Sequence, residues 1–340
     1  MDRRQFNRKM IQSLSAVPGL IIPAPLLSFN NEKKMKKPAR LQKGDTVALI
    51  TPGSPITQEK LDKTLANLKM LGLKAKYNPS IMARHGYLAG TDEQRISDIH
   101  EFFADKTVKA IWCIRGGYGC PRLLPKLDFK LIKRNPKILI GYSDVTALLA
   151  AILEKTKMIS FHGPMTASTF TPFALAHLKA VLMEGRSKWL IDPALFENGQ
   201  YSIRSGTASG PLVGGNLSLL SALVGTPYEI CYKNKIVFIE EIGEKPYRID
   251  RMLTQLRQGS DLKEAAAIVL GVFESCEAKK EDASLSLKET LTDRLYDLGI
   301  PVYYGFPVGH ISDQCTLPIG GEAHFDGATG KLTLLGASVQ

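Results

Sequence analysis

Lys137-Ile138-Leu139-Ile140-Gly141-Tyr142-Ser143-Asp144-Val145-Thr146-Ala147-Leu148 is the stretch that sets the architecture of this chain. A short apolar strand runs into a tight Gly-x-Ser turn, and a helix-forming run from Val145 to Leu153 follows at once. A strand–turn–helix of this kind lifts a serine hydroxyl to the top of a sheet. It also aims the N–H groups of the next helix at whatever sits on that hydroxyl. The spacing approximates a nucleophile elbow without the second glycine of G-x-S-x-G. A plainer reading makes Ser143 the helix cap, with Asp144 in the first turn. Both readings put the residue at the C-terminal end of a strand.

Working outward, the first half of the chain alternates strand and helix. Strands are expected at Thr46–Thr51, Lys74–Tyr77, Val108–Ile114 and Ile138–Gly141. Helices are expected at Gln58–Leu71 and at Asp92–Ala104, the latter capped by Thr91. Repeated βα units predict a mainly parallel sheet covered on both faces, an α/β fold with Rossmann-like character. Ligand sites in such sheets form beyond the strand C-termini. Three glycine-containing loops fall there: Pro52-Gly53-Ser54-Pro55, Arg115-Gly116-Gly117-Tyr118-Gly119 and Gly141-Tyr142-Ser143.

The pattern loosens between about Thr171 and Ser209, which places a domain junction near residue 180. The second half predicts strands at Lys235–Glu240, Ala266–Val272 and Pro301–Tyr304. Its helices are expected at Leu217–Val224, Tyr247–Gln258 and Leu287–Leu298. A closing hairpin pairs Glu322–Asp326 with Lys331–Leu335. The expected organisation is therefore a leader and linker over residues 1–40, an N-terminal α/β domain over 41–180, and a mixed α/β domain over 181–340.

Of the net charge of +11, a net +7 lies in the first 40 residues, which hold nine basic and two acidic side chains. The remainder is nearly balanced, so no basic stripe points to a nucleic acid. Arg3 and Arg4, with Phe6 two places on, precede a weakly apolar run from Met10 to Phe29 broken by Pro18, Pro23 and Pro25. This reads as a twin-arginine export leader to the periplasm rather than a spanning helix. The other reading is a basic tail on a cytoplasmic protein. No cysteine near the end of that run suggests a lipid anchor. Cys113, Cys120, Cys231, Cys276 and Cys315 are scattered, without a C-x-x-C pair.

His85, His100, His162, His177, His310 and His324 show no H-x-x-x-H spacing, so no metal site is expected. The Gly116–Gly119 loop matches no phosphate-binding pattern, and no cofactor is expected. Ser260-Asp261-Leu262-Lys263 matches S-x-x-K without its K-T-G partner, and is taken as chance. A serine nucleophile needs a base, and the base an orienting acid. His310 sits in a glycine-bounded loop, Phe306-Pro307-Val308-Gly309-His310. Glu240 ends the apolar strand Ile236-Val237-Phe238-Ile239, where a carboxylate must be paired. Glu241 is its neighbour, turned to the other strand face by alternation.

Together these residues carry a resemblance. Arg115-Gly116-Gly117-Tyr118-Gly119, Gly141–Ala147, Gly163-Pro164-Met165, Gly214-Gly215-Asn216-Leu217, Gly225-Thr226-Pro227, Glu240-Glu241, Pro246–Met252 and Gly309-His310 resemble the LD-carboxypeptidase (muramoyl-tetrapeptide carboxypeptidase) family of serine peptidases. The similarity runs in order from about Lys43 to Leu335. It implies a catalytic triad of Ser143, Glu240 and His310, and an oxyanion hole from the N–H groups of Gly117 and Asp144. It also implies a Rossmann-like first domain, a mixed α/β second domain and a homodimer. Arg115 and Asn216 are candidates for substrate contact, Arg115 for a terminal carboxylate.

The activity implied is hydrolysis of the L,D-amide that joins a terminal D-alanine to a peptidoglycan tetrapeptide. A sister group with the same residues cleaves peptide–nucleotide antibiotics as self-immunity. A third reading is an exported muropeptide-binding protein without turnover.

Overall fold

The structure is a computed structural model that describes residues 35–340, except 198, 280 and 282. Most of the expected export leader therefore lies outside the described residues.

Among the described residues fourteen strands fall into two sheets. The first half supplies β1 (Thr46–Ile50), β2 (Lys74–Lys76), β3 (Val108–Cys113), β4 (Ile138–Gly141) and β5 (Ser160–His162). The second supplies β6 (Lys188–Ile191), β7 (Tyr201–Arg204), β8 (Thr207–Asn216), β9 (Ile236–Ile242) and β10 (Ala267–Glu274). The chain closes with β11 (Val302–Tyr304), β12 (Leu317–Ile319), β13 (Glu322–Asp326) and β14 (Leu332–Leu335). The main helices are α1 (Gln58–Met70), α2 (Asp92–Ala104), α3 (Phe129–Arg134), α4 (Thr146–Thr156), α5 (Pro172–Leu178), α6 (Leu217–Ala222), α7 (Pro246–Gly259) and α8 (Leu287–Leu295).

One sheet runs β12-β5-β4-β3-β1-β2. Its pairs are parallel except β12 with β5. The other runs β6-β14-β13-β8-β9-β10-β11-β7, with a parallel centre of β8, β9, β10 and β11. This is the α/β architecture expected: a parallel first sheet and a mixed second one. The expected boundary near residue 180 falls between β5 and β6, and β12 crosses back over it to join the first sheet.

Strands buried on both faces read as unbroken apolar runs. Ile138, Leu139 and Ile140 on β4 and Ile236 to Ile239 on β9 are all buried, as these sequences require. Thr91 caps α2 through a capping box with Gln94, holding the helix at its predicted bounds. Helix α4 is buried on every side from Thr146 to Leu153. It packs between the sheets, where the side chain of Thr146 accepts from the backbone N–H of Asn216 at 3.1 Å.

The stretch that read as a loosened junction contains α5, β6 and β7. Strands β6 and β7 are the two edges of the second sheet, short and partly exposed, so no apolar alternation marks them. The ten-residue β8 was invisible for another reason. Gly210, Pro211, Gly214 and Gly215 break its β signature, yet they let it lie close to its neighbours. A Cβ on Gly214 would collide with the carbonyl of Phe238, and one on Gly215 would fall within 2.5 Å of Thr146.

Candidate active site

The turn after β4 forms an elbow. Ser143 has φ 60°, in the left-handed region that an L-residue occupies only under constraint. Gly141 is needed because a Cβ there would sit 2.9 Å from Cγ1 of Val145, the residue that opens the helix behind the elbow. Ser143 makes no capping bond. The short 3₁₀ turn Ser143–Val145 and α4 both begin without a side-chain cap. The strained backbone and the missing cap together favour the nucleophile over the cap reading.

The other two loops close on this elbow. Gly116 accepts from the N–H of Ser54 at 2.8 Å, and Ser54 Oγ accepts from the N–H of Tyr118 at 3.2 Å. Gly117 has φ 83°, and a Cβ there would strike the Ser54 side chain. At Gly116 a Cβ would lie 3.2 Å from the nitrogen of Asp144 and 3.3 Å from Cβ of Ser143. The glycine loop therefore lies directly against the elbow, with Gly117 and Asp144 on its two sides. Asp144 is 2 % exposed, and its carboxylate accepts from the N–H of Cys120 at 2.8 Å. Burial, and then the carboxylate of Asp144, push the Cys120 thiol far up, so it is inert. The buried guanidinium of Arg95 donates to the carbonyls of Pro52 and Gly119 and pairs with Asp92 at 2.6 Å, tying two of the loops together.

The second sheet brings the acid and base. Glu240 is fully buried on β9, and its Oε2 lies 2.8 Å from Nδ1 of His310. With Nδ1 engaged by the carboxylate, the imidazole turns Nε2 away from Glu240. Gly309 permits the approach. It has φ 138°, and a Cβ there would meet the carbonyl of Val272 at 2.8 Å and Glu240 Oε2 at 3.6 Å. The ring of Tyr142 packs edge-on against His310 with centroids 4.9 Å apart. The residue before Ser143 thus touches the imidazole, and one contact joins the elbow of the first sheet to the acid–base pair of the second.

The remaining sequence candidates take other places. Asn216 is 3 % exposed and its amide is committed internally: Nδ2 donates to Glu241 at 3.0 Å and Oδ1 caps α6 at the N–H of Leu219. In this structure the Asn216 amide ties the end of β8 to α6 and to β9. Arg115 is half-buried and donates to the carbonyl of Pro55 at 2.6 Å, bracing the Pro52–Pro55 loop. Burial, and then the charge of nearby Arg115, lower the pKa of Lys60.

Glu241 does point away from Glu240, but into the fold. It is 2 % exposed and accepts from Asn216, from the N–H and hydroxyl of Ser218 at 2.8 and 2.7 Å, and from the N–H of Ile242 at 2.9 Å. Burial raises its pKa. Arg248 pairs with Glu244 rather than with either strand glutamate. Ser260, of the S-x-x-K match, donates to the carbonyl of Leu256 at the end of α7.

Sequence reading gave Tyr142 and His162 no individual role. Tyr142 was visible only as the residue before the serine. His162 was a lone histidine closing a short apolar strand, and only tertiary contacts reveal its neighbours. Among the described residues no three His, Cys, Asp or Glu side chains cluster as metal ligands.

The profile of the LD-carboxypeptidase N-terminal domain matches residues 47–163, and that of the C-terminal domain matches residues 209–325. A probable murein peptide carboxypeptidase of Bacillus subtilis strain 168 is 42 % identical over 84 % of this chain and 90 % of its own length. The muramoyltetrapeptide carboxypeptidase of Oxalobacter formigenes superposes with a TM-score of 0.76 and 32 % identity, over 85 % of this chain and 97 % of that one. An MccF-like protein of Bacillus anthracis str. Ames superposes with a TM-score of 0.77 and 28 % identity, over 88 % of this chain and 99 % of its own. Both halves of the fold carry their own match, and this chain belongs to the LD-carboxypeptidase family.

Proposed function

We propose that the protein is a serine carboxypeptidase that releases the terminal D-alanine of L,D-linked peptidoglycan tetrapeptides. The observation that carries the reading is the edge-on contact of Tyr142, the residue before the strained Ser143, with the carboxylate-bound imidazole of His310. Ser143 attacks the peptide carbonyl, and His310 takes its proton through Nε2. Glu240 holds the ring tautomer and balances the imidazolium that forms. The N–H groups of Gly117 and Asp144 receive the developing oxyanion. His310 then protonates the departing amine, and water resolves the acyl-enzyme on Ser143. Arg115 and Lys60 supply positive charge for the terminal carboxylate.

A second reading, an immunity-type amide hydrolase acting on peptide–nucleotide antibiotics with the same residues, draws on the likeness to an MccF-like protein. Incubating the protein with a muropeptide mixture separates the two. Tetrapeptides that lose one alanine by mass support the main reading. Unchanged tetrapeptides with cleavage of a peptide–nucleotide amide transfer the protein to the second reading. Retained binding without any cleavage makes it a muropeptide-binding protein.

The charge concentrated in residues 1–40 and the Arg3-Arg4 pair support export by the twin-arginine route and a periplasmic site of action. Full-length wild type and Arg3→Lys/Arg4→Lys protein both remaining in the cytoplasm would return the enzyme to a cytoplasmic role. The family likeness further supports a homodimer, which sedimentation of the purified protein tests.

A further inference from the structure

One buried histidine of the site has no part in the chemistry above. His162 ends β5 and is fully buried, and neither ring nitrogen has a hydrogen-bond partner among the described residues. Its ring stands edge-on to Phe238 with centroids 5.0 Å apart, and 5.9 Å from the ring of Tyr142. Phe238 and Glu240 are two apart on β9 and share a strand face. His162 therefore lies on the face from which Glu240 projects, behind the pair that Tyr142 covers.

Glu240 has a matching deficiency. Oε2 engages His310, but the fully buried Oε1 has no partner among the described residues, and nor does Oε1 of Gln314. Gln314 is 2 % exposed and meets the hydroxyl of Tyr142. Buried polar atoms are hydrogen-bonded in folded proteins. Where no protein group serves, internal water does, provided several polar groups converge. Two imidazole nitrogens, a carboxylate oxygen and an amide oxygen, all buried and unpartnered among the described residues, belong to side chains gathered around Tyr142.

We propose that His162 is a positioning residue for the Glu240–His310 pair, holding the free carboxylate oxygen of Glu240 through buried water. The proposal rests on the catalytic reading of Ser143, Glu240 and His310. Its logic is electrostatic. A neutral imidazole offers one donor and one acceptor and adds no charge. A lysine or a protonated histidine at this place would neutralise Glu240 and repel the imidazolium that forms on His310. Burial pushes His162 down to about 4, so the ring stays neutral throughout the working range. The titratable groups facing Glu240 are His310, His162 and Tyr142, with Glu241 behind it on the strand.

Removing the water-held donor penalises the carboxylate most when it stands alone, after His310 has lost its proton. The proton then leaves His310 at a higher pH. His162→Phe should move the acid limb of the kcat/KM profile for D-alanine release up by on the order of one unit, and lower the plateau kcat about tenfold. His162→Gln, which restores a neutral donor and acceptor, should recover most of both. Nitrogen-15 NMR titration of His310 in a Ser143→Ala background should show the same upward shift without any substrate. A purely structural role would lower the melting temperature and the active fraction and leave both titrations in place. Gln314→Met removes the amide oxygen at nearly constant volume and repeats the test if His162→Phe does not fold. Folded His162→Phe or Gln314→Met protein with an unmoved acid limb and an unmoved His310 titration overturns the proposal. A wild type that releases no D-alanine overturns the functional reading instead, and the NMR titration still decides the role of His162.

Discussion

Glu240 and Glu241 are consecutive, both at most 2 % exposed, and bound to opposite sides of the same strand. Glu240 reaches His310, whereas Glu241 gathers donors from Asn216, Ser218 and Ile242. One carboxylate engages an imidazole, and the other holds the junction of β8, α6 and β9.

Their substitutions should therefore separate in kind. Glu240→Gln should lower kcat by about three orders of magnitude, because the imidazolium loses its counter-charge, with little change in melting temperature. Glu241→Gln should cost about 1–3 kcal/mol of stability, since an amide cannot accept every bond the carboxylate takes. Its kcat per folded molecule should stay within a few-fold of wild type. Strand alternation alone would make Glu241 freely replaceable; its four donors show that it is not. Equal kcat losses in the two variants would mean that the acid is misassigned.

At the elbow, stability and activity should part company. Ser143 holds φ 60°, which alanine tolerates poorly and glycine freely. Ser143→Gly should be about 1 kcal/mol more stable than Ser143→Ala, while both lack the nucleophile. Chemical denaturation of the two variants checks this, and the reverse order would remove the strain argument.

Four of the six strands of the first sheet were legible, β1, β3 and β4 through their apolar runs, and its helices through cap signals; β5 and β12, buried but only three residues long, carry too short a pattern to register. Thr91, read as the N-cap, marked the start of α2 to the residue. The three site loops were legible as glycine clusters at strand ends, and His310 and Glu240 through their loop and strand context joined to the family resemblance. Strand β8 was hidden by the glycines that admit its neighbours, and the edges β6 and β7 by short length and exposure. Asn216 and Glu241 were legible as residues but not as partners. Their mutual bond spans 25 positions and depends on the parallel pairing of β8 with β9.

Acid should destabilise the fold through its buried histidines. Burial pushes His162 and His177 down to about 4, well below the ordinary histidine range. Between about pH 6.5 and 4 the unfolded chain binds more protons at these positions than the folded one, so stability rises with pH through that window and is lost as pH falls. Each shift is worth at most about 3 kcal/mol. His177 accepts from the indole of Trp189 at 2.9 Å, which requires the neutral ring. Denaturation midpoints at pH 7 and pH 4.5 should differ clearly in wild type and less in His177→Gln. A pH-independent midpoint would contradict the buried neutral histidines.

Exhaustive chelation should leave turnover unchanged. The proposed chemistry needs only a hydroxyl, an imidazole, a carboxylate and backbone donors, and the described residues hold no ligand cluster. Inactivation by EDTA that zinc reverses would move the reaction to metal-activated water.

The most direct measurement is D-alanine release from a muramoyl tetrapeptide by wild type and Ser143→Ala, prepared alike and matched by circular dichroism. The account predicts turnover by wild type and a loss of at least about a thousandfold in Ser143→Ala, with the same fold. A Ser143→Ala protein that releases D-alanine at the wild-type rate would contradict it.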